Sequence, residues 1–273
     1  METLKAPVNT AFSGSIPTQY DAHLGPLFFE PFARHLADRI SELAPGRVLE
    51  LACGTGRLTR HMAERLQPLA RITATDVNPA MLQFAQEVIS DARVEWKVVD
   101  AVDLPYPNAS FDLVVVQFGV MFYSDRVKAY REALRVLKPG GRMIFTCWNE
   151  LEENPAAHIT QEVVRHFFPT DTPAFYTVPF AYHDRELIRE EVLAAGFARV
   201  KLELPELVGY ADQAANAAKG LLEGSPIHTA IMDRDPHALP AMRAMLTTQL
   251  SAEFGAEELE VPLSAWVVEA VKA

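Results

Sequence analysis

The stretch VLELACGTGRLTR, residues 48–60, decides the fold of this chain. An apolar run that contains Glu50 leads through two glycines, Gly54 and Gly56, into the first turn of a helical pattern. Glycine tolerates positive φ and lets another molecule approach the bare backbone. Because ligands of open parallel sheets bind beyond the carboxyl ends of the strands, the stretch predicts a ligand-binding turn between a strand and a helix.

Strand-like and helix-like segments alternate through residues 45–148. The apolar segments lack the strict alternation of a sheet with one wet face, so they predict an α/β fold with a parallel sheet covered by helices on both sides. The predicted strands are residues 47–51, 71–76, 93–100, 111–118 and 142–148. The predicted helices are residues 57–66, residues 79–90 with Asn78 as the cap, and residues 124–137, which Ser124 begins and residues 138–141 close.

The regions outside this core have a weaker pattern, and they divide the chain into parts. The parts are residues 1–44, an N-terminal arm and covering helix; 45–148, the α/β core; 149–183, a cap insertion rich in proline and aromatic residues; and 184–273, the rest of the sheet. In the last part the predicted elements are a helix from Asp184 to Gly196, a strand at 198–204, two helical pieces within 210–257 broken near Pro226 and Pro236, and a final strand at 263–273.

Composition narrows the class of partner. The 273 residues carry a formal net charge of −11 without a basic run, which argues against binding to a nucleic-acid backbone. Cys53 and Cys147 lie in apolar contexts and need not pair, which favours a reducing compartment. Neither a signal-peptide core nor an apolar stretch long enough to cross a bilayer is seen, so we expect a cytoplasmic protein. No zinc-type ligand spacing occurs, and we expect no metal site.

Two aspartates at strand ends indicate an adenosine ligand. Asp76 ends the second strand, twenty residues after Gly56, where a carboxylate can accept hydrogen bonds from ribose hydroxyls. Asp100 ends the third strand and is a candidate acceptor for the exocyclic amine of adenine, with a turn-initiating aspartate as the competing interpretation. Met81 is interpreted either as packing on adenine or as a core residue. Thr59 stands where the dinucleotide fingerprint has its third small residue, which disfavours a nicotinamide cofactor.

Four motifs in order, VLELACGTGRLT, ITATDVNPAML, VVDAVDLPYPNASFDLVVVQFGVMF and LRVLKPGGRM, resemble those of class I S-adenosylmethionine-dependent methyltransferases. The resemblance covers residues 45–148 and is to the small-molecule branch that includes ubiquinone/menaquinone-biosynthesis methyltransferases. It implies a Rossmann-like, doubly wound, seven-stranded, mostly parallel sheet whose last strand is antiparallel. It also implies that the first turn holds the amino-acid end of S-adenosyl-L-methionine, that Asp76 holds the ribose and that Asp100 with Ala101 holds adenine.

The candidate cofactor-binding residues follow from this resemblance and from their places at the sheet edge. They are Tyr20, Glu50, Ala52, Gly54, Gly56, Asp76, Val77, Met81, Asp100, Ala101 and Gln117. Ala52 departs from the commonest pattern, which has glycine there, but its side chain is small enough for binding to be retained.

The end of the fourth strand narrows the class of acceptor. It reads Gln117-Phe118-Gly119-Val120 and not the [DN]-P-P-[YF] typical of enzymes that methylate exocyclic amines of nucleic-acid bases. The candidate substrate pocket is apolar and aromatic, with core packing as the competing interpretation of each ring; its residues are Phe118, Met121, Phe122, Tyr176 and Tyr182. His23 and His183 are candidate acid/base groups, and a structural role is the alternative for both.

The sequence therefore predicts a methyltransferase that acts on a small, apolar or aromatic molecule, with O-, C- and N-methylation all open. Three alternatives remain: an S-adenosylmethionine-binding enzyme of decarboxylating or pericyclic chemistry, a nicotinamide-dependent dehydrogenase, and a non-catalytic binding protein. A homodimer is left open as well.

Overall fold

The computed structural model describes residues 16–173 and 175–273, so residues 1–15 of the predicted arm lie outside the described residues. The chain divides into two compact units. One consists of residues Met1–Pro31, Glu150–Pro179 and Glu206–Ser264, and the other, the sheet unit, of Phe32–Asn149, Phe180–Pro205 and Ala265–Ala273.

The sheet unit is built on a seven-stranded sheet, which confirms the predicted α/β architecture. The strands of the described chain are β1 (Arg47–Leu51), β2 (Arg71–Asp76), β3 (Val94–Val98), β4 (Phe111–Gln117), β5 (Leu137–Trp148), β6 (Arg199–Glu203), β7 (Leu207–Gln213), β8 (Glu257–Leu263) and β9 (Ala265–Val271). The order in the sheet is β3-β2-β1-β4-β5-β9-β6, and β9 alone runs antiparallel to its neighbours β5 and β6. The predicted antiparallel last strand is thus confirmed.

The register of β1 fixes where ligands can bind. Glu50 in β1 lies beside Ala74 of β2 on one side and Val115 of β4 on the other. All three strands are parallel, so the turn after β1, the end of β2 and the end of β4 meet at one edge of the sheet. The strands β2 and β3 lie on one side of β1, and the chain then crosses from β3 to β4 on the other side of β1. The strand order therefore reverses at β1, which makes this edge the topological switch point where α/β sheets bind ligands.

Some of the helices begin at residues whose side chains accept hydrogen bonds from the first backbone N–H groups, and others begin without a side-chain cap. Their bounds are α1 (Ile16–Gln19), α2 (Glu30–Leu43), α3 (Arg57–Arg65), α4 (Pro79–Val88), α5 (Arg126–Val136), α6 (Pro155–Phe167), α7 (Arg185–Ala194), α8 (Ala214–Glu223), α9 (Ile227–Arg234) and α10 (Leu239–Phe254). Asn78 caps α4 and Asp184 caps α7, as predicted.

The predicted start of α5 at Ser124 is wrong by one position. The cap is Asp125, whose Oδ1 accepts a hydrogen bond from the Lys128 backbone N at 2.9 Å. A capping side chain reaches the N–H groups two or three residues ahead of it, so Ser124 lies too early in the chain to serve the third helical residue.

The other unit departs most from the sequence-based predictions. Within 210–257 the structure has three helices, α8, α9 and α10, where two pieces were expected. The unit also has a two-stranded antiparallel sheet of β7 and β8, which the sequence analysis missed. Both strands alternate buried and exposed residues, but about fifty residues separate their starts, so no hairpin turn announces the pairing. In addition, a π-helical segment, Tyr20–Phe29, occupies part of the first predicted helix.

Cys53 and Cys147 are buried free thiols, in agreement with the interpretation that they need not pair. Among the described helices, none has the combination of length and apolar character needed to cross a bilayer. Within the same residues, no group of three or more His, Cys, Asp and Glu side chains is arranged to hold a metal ion.

Candidate functional site

The turn between β1 and α3 adopts left-handed backbone geometry at three positions. The φ angles are 53° at Ala52, 57° at Gly54 and 79° at Gly56. The turn is fastened to β2 by a hydrogen bond of 2.9 Å from Cys53 N to the Thr75 carbonyl oxygen. Left-handed geometry costs an L-residue roughly 1–2 kcal/mol, which explains why glycine suits position 52 better than the alanine that this chain carries.

The two glycines of the turn serve different purposes. At Gly54 an added Cβ would come no closer than 3.7 Å to a described atom, the Cε of Met81, so this stretch of backbone is open to a ligand. At Gly56 an added Cβ would lie 2.5 Å from Cδ1 of Ile89 and 3.1 Å from Cβ of Ala85. The backbone of Gly54 can therefore lie against a ligand, as expected. At Gly56 the missing side chain instead makes room for helix α4 and for Ile89, the residue after α4.

Asp76, at the end of β2, binds the turn directly. Its Oδ2 accepts a hydrogen bond from Gly54 N at 2.8 Å, and its Oδ1 accepts one from Asn78 N at 2.8 Å. The side chain is buried, and burial raises the pKa of Asp76 while the backbone N–H groups of Asn78, Gly54 and Val77 oppose that rise. A carboxylate has about four acceptor sites, so these bonds leave capacity for a ribose hydroxyl.

Glu50 lies inside the sheet unit with 1% of its surface exposed. The Thr59 hydroxyl donates to its Oε2 at 2.5 Å, and the Thr75 hydroxyl donates to its carbonyl oxygen at 2.9 Å. Burial, and to a lesser degree the charge of Asp76, raises the pKa of Glu50 to about 8, although the bond from Thr59 lowers it. Thr59 thus has a role that the fingerprint comparison missed: its side chain holds Glu50.

The acids around the turn fit the charge of S-adenosylmethionine, which carries a sulfonium and an ammonium group. Two buried carboxyl groups, Glu50 and Asp76, lie close enough for the charge of one to act on the other. Their mutual repulsion disfavours ionisation of both, and a cation bound beside them would relieve it. Together with the open backbone at Gly54, this pair forms a site that the predicted cofactor can occupy.

The contacts of the predicted adenine-binding residues give less support to their predicted role. Asp100 Oδ1 accepts from Val102 N at 3.1 Å, so the turn role that competed with adenine binding is present in the structure. Ala101 is buried and Val77 is exposed. Met81 is buried, and its Cε lies 3.7 Å from the place that a Cβ on Gly54 would occupy, so the structure brings Met81 to the turn.

The end of β4 places aromatic side chains beside the turn. Gln117 is the last strand residue, and Phe118 follows with a φ of 53°, which is unusual for a bulky side chain. The Phe118 N–H donates to Oγ1 of Thr146 at 3.0 Å. An added Cβ at Gly119 would lie 2.5 Å from Cβ of Ala52, so glycine at this position lets the segment after β4 pack on the turn between β1 and α3, called the cofactor turn below.

Phe118 belongs to a buried aromatic cluster, defined as Phe32, Phe118, Trp148 and Phe180. The Phe118 ring stacks on Trp148 with centroids 3.9 Å apart, and Phe32 meets Phe118 edge-on at 5.0 Å. The Phe180 ring also stacks on Trp148, with ring centroids 5.6 Å apart. The sequence analysis named Phe118 alone from this cluster, because its members come from four separate segments of the chain.

The remaining pocket candidates of the sheet unit lie in two places. Met121 and Phe122 belong to a short 3₁₀ turn, Val120–Phe122, directly after the Phe118 segment. Tyr182 is buried against α5: its hydroxyl is 3.2 Å from that of Tyr130, and the Arg126 guanidinium lies 4.1 Å from its ring centroid. Tyr182 thus contacts α5, and its hydroxyl also interacts with Glu191 of α7.

His183 lies at the carboxyl edge of the sheet. Its carbonyl oxygen accepts a hydrogen bond of 2.9 Å from the indole N–H of Trp266. Trp266 pairs with Cys147 in β5, and the next residue of β5 is Trp148 of the aromatic cluster. The structure therefore brings His183 to the same edge as Phe118.

Tyr20, His23 and Tyr176 lie in the other unit. Tyr20 stacks on Phe29 with centroids 4.8 Å apart, and the Tyr176 hydroxyl donates to the Leu221 carbonyl oxygen at 2.6 Å. Burial, followed by the charge of Lys219, lowers the pKa of His23.

Comparison with known proteins agrees with this geometry. Residues 49–145 match the methyltransferase domain family. The ubiquinone/menaquinone biosynthesis C-methyltransferase UbiE of Hydrogenovibrio crunogenus is 36% identical over 183 residues, which cover 62% of this chain and 72% of that protein.

Solved structures share the fold at lower identity. Phosphoethanolamine N-methyltransferase 2 of Haemonchus contortus, in complex with S-adenosyl-L-methionine, has a TM-score of 0.61 at 18% identity over 99% of this chain and 60% of that one. The [4+2]-cyclase SpnF has a TM-score of 0.59 at 21% identity over 97% and 94% of the two chains. The chain thus belongs to the class I S-adenosylmethionine-dependent methyltransferase family that includes the UbiE-like enzymes, and its cofactor is S-adenosylmethionine.

Proposed function

We propose that the enzyme transfers the methyl group to a carbon atom of a small, flat, electron-rich aromatic molecule that carries an ionisable hydroxyl. The observation that carries the proposal is the position of Phe118, a stacked aromatic residue held beside the cofactor turn at the end of β4. The name of the UbiE relative, a C-methyltransferase, supports carbon as the accepting atom.

The backbone of Phe118 supports a functional role for its ring. A positive φ costs a bulky residue roughly 1–2 kcal/mol and persists only where the surroundings enforce it. Here the bond to Thr146 and the stack on Trp148 hold the residue in place. An aromatic face at this position suits an acceptor ring, since offset-stacked pairs favour flat partners.

The chain's residues have limited chemistry to supply, because the bound cofactor brings a methyl group on a good leaving group. The open backbone at Gly54 and the carboxylate of Asp76 bind and align it. We assign to His183 the acceptance of the proton that the acceptor's hydroxyl loses, since it lies at the same sheet edge as Phe118. The bound cofactor would supply the methyl group to the ring carbon and would leave as S-adenosylhomocysteine. The proton of that ring carbon would pass to solvent, while His183 would return its proton to the acceptor's oxygen.

The class of partner belongs to the same proposal. The net charge of −11 and the sequence at the end of β4 support a small molecule over a nucleic acid. A cytoplasmic location and a homodimer are the corresponding proposals for where and how the enzyme works. Light scattering on purified protein across a concentration series tests the dimer, and a constant monomer mass refutes it.

A methyl-transfer assay tests the acceptor. Purified enzyme is incubated with methyl-labelled S-adenosylmethionine and a panel of quinols, phenols and amines, and mass spectrometry with NMR locates the label. Labelling of a ring carbon of a quinol or phenol is expected. Labelling of the amines alone would contradict the proposal.

Two variants with controls test the residues. Phe118→Leu is expected to raise KM for the aromatic acceptor by about tenfold, as loss of an aromatic stack of roughly 1 kcal/mol or more allows, with the cofactor Kd unchanged. His183→Asn is expected to lower kcat at neutral pH and to remove one limb of the pH–rate profile. The exposed His237 provides the matched control, His237→Asn, which should retain both kcat and the profile. An unchanged profile in His183→Asn would exclude it as the proton acceptor.

A further inference from the structure

Tyr123 has a buried hydroxyl whose purpose the fold does not explain. It follows the 3₁₀ turn Val120–Phe122 at the end of β4, and its backbone N–H donates to the Val120 carbonyl oxygen at 3.2 Å. Its hydroxyl oxygen is buried and has no hydrogen-bond partner among the residues that the structure describes. Buried donors in proteins are nearly always paired, and an unpaired one is destabilising.

The surroundings of this hydroxyl point to the adenosine part of the site. Burial raises the pKa of Tyr123 far above its ordinary value, and the charges of Asp76 and Asp100 add to the rise. The phenol therefore remains protonated and can donate. Asp76 and Asp100 are the two residues that the resemblance assigns to the ribose and to adenine, so the charges of both predicted nucleoside contacts act on this hydroxyl.

We infer that Tyr123 is a further cofactor-binding residue, whose hydroxyl donates a hydrogen bond to an oxygen or nitrogen of the adenosine moiety. Ribose oxygens and the adenine ring nitrogens all offer acceptors. A ribose hydroxyl can donate to a carboxylate such as Asp76 while its oxygen accepts from a phenol. This inference rests on the cofactor site and is independent of the proposed acceptor.

A second tyrosine in the chain provides a matched control. The Tyr106 hydroxyl is likewise buried without a hydrogen-bond partner among the described residues. Burial and the charge of Glu95 raise its pKa to about 12. Its ring meets Phe111, the first residue of β4, edge-on at 5.2 Å, whereas Tyr123 follows the end of β4. Tyr106→Phe thus removes the same kind of atom outside the adenosine part of the site.

The experiment compares ligand-free stability with ligand affinity. Thermal unfolding is measured without ligand, and calorimetry is done with S-adenosylhomocysteine and with 5′-methylthioadenosine, which lacks the amino-acid end. For Tyr123→Phe we expect a higher melting temperature without ligand, because an unpaired buried donor is gone, and about tenfold weaker binding of both ligands. Tyr106→Phe is expected to raise the melting temperature and to leave both affinities unchanged.

The possible results distinguish a wrong role for Tyr123 from a wrong position of the cofactor site. Wild-type affinity of Tyr123→Phe for both ligands would overturn the inference, and so would weaker binding of S-adenosylhomocysteine alone, because the contact would then lie outside the adenosine. Asp76→Asn tests the site itself and is expected to weaken both ligands. If Asp76→Asn binds both ligands as the wild type does, the placement of the cofactor beside Asp76 fails; if only Tyr123→Phe does so, that placement stands and the role of Tyr123 fails.

Discussion

Replacing Glu50 by glutamine tests the electrostatics of the cofactor turn. The pKa of Glu50 rises from the ordinary value of 4.5 to about 8 in the folded protein. A carboxyl group with a raised pKa contributes its full stability below pH 4.5 and loses it as the pH rises towards 8, because the unfolded chain ionises first. Glutamine keeps the size of the side chain and an oxygen that can accept from Thr59, but it does not titrate.

The magnitude follows from this difference in pKa. Each pH unit inside the window costs on the order of 1 kcal/mol, so between pH 5 and pH 7 the contribution of Glu50 falls by roughly 2–3 kcal/mol. For a chain of this size that corresponds to a melting temperature lower by roughly 5–10 °C. Other groups titrate in both proteins, so the quantity to compare is the difference between wild type and Glu50→Gln at each pH.

Urea unfolding at several pH values provides the measurement. We expect the wild type to lose stability relative to Glu50→Gln as the pH rises, and the exposed Glu42 offers the control substitution, Glu42→Gln. A difference between wild type and Glu50→Gln that stays constant from pH 5 to pH 7 would refute the reasoning.

The same carboxyl group predicts proton release on cofactor binding. With a pKa of about 8, Glu50 is mostly protonated at pH 7 in the free protein. A nearby ammonium group favours the carboxylate, so binding should release protons. Calorimetry in buffers of different ionisation enthalpy measures this number, and Glu50→Gln should release none; equal release from both proteins would show that Glu50 does not respond to the cofactor.

The remaining predictions concern the same turn. Gly56→Ala should destabilise the protein by about 2–5 kcal/mol in urea unfolding, because position 56 is left-handed and the added Cβ would overlap Ile89. A much smaller loss of stability would contradict the packing role of Gly56. Gly54→Ala should cost only about 1–2 kcal/mol but should abolish the rise in melting temperature that saturating S-adenosylhomocysteine gives the wild type. Thr59→Val removes the bond that lowers the pKa of Glu50, so the pH-dependent loss of stability should extend to higher pH; an unchanged pH profile would count against that bond.

The sheet could be predicted from the sequence because each strand is a short apolar run with local signals at its ends. Asn78 and Asp184 cap their helices as expected, and Asp76 lies where its distance from Gly56 placed it. These features depend on neighbouring residues in the chain. The acceptor side, the acid/base group and the division of the chain into domains stay predictions, since no local signal defines them.

Other features depend on contacts between distant segments, which a single sequence does not reveal. The bond from Thr59 to Glu50 and the packing of Ile89 over Gly56 both require the folded turn. The pairing of β7 with β8 spans three helices. Helix α6 begins with Pro155, a normal first residue of a helix, but the surrounding prolines concealed that signal.

The bond between Asp76 and the Gly54 amide has a consequence for redesign. The Asp76 carboxylate holds the turn by this bond and is also expected to bind the ribose. A substitution of Asp76 would therefore change the structure of the turn as well as ligand recognition. A basic residue at position 76, introduced to bind a phosphorylated nucleotide, would remove the hydrogen bond to Gly54 and destabilise the turn. Retargeting this enzyme should therefore begin at residues that contact a ligand without supporting the scaffold.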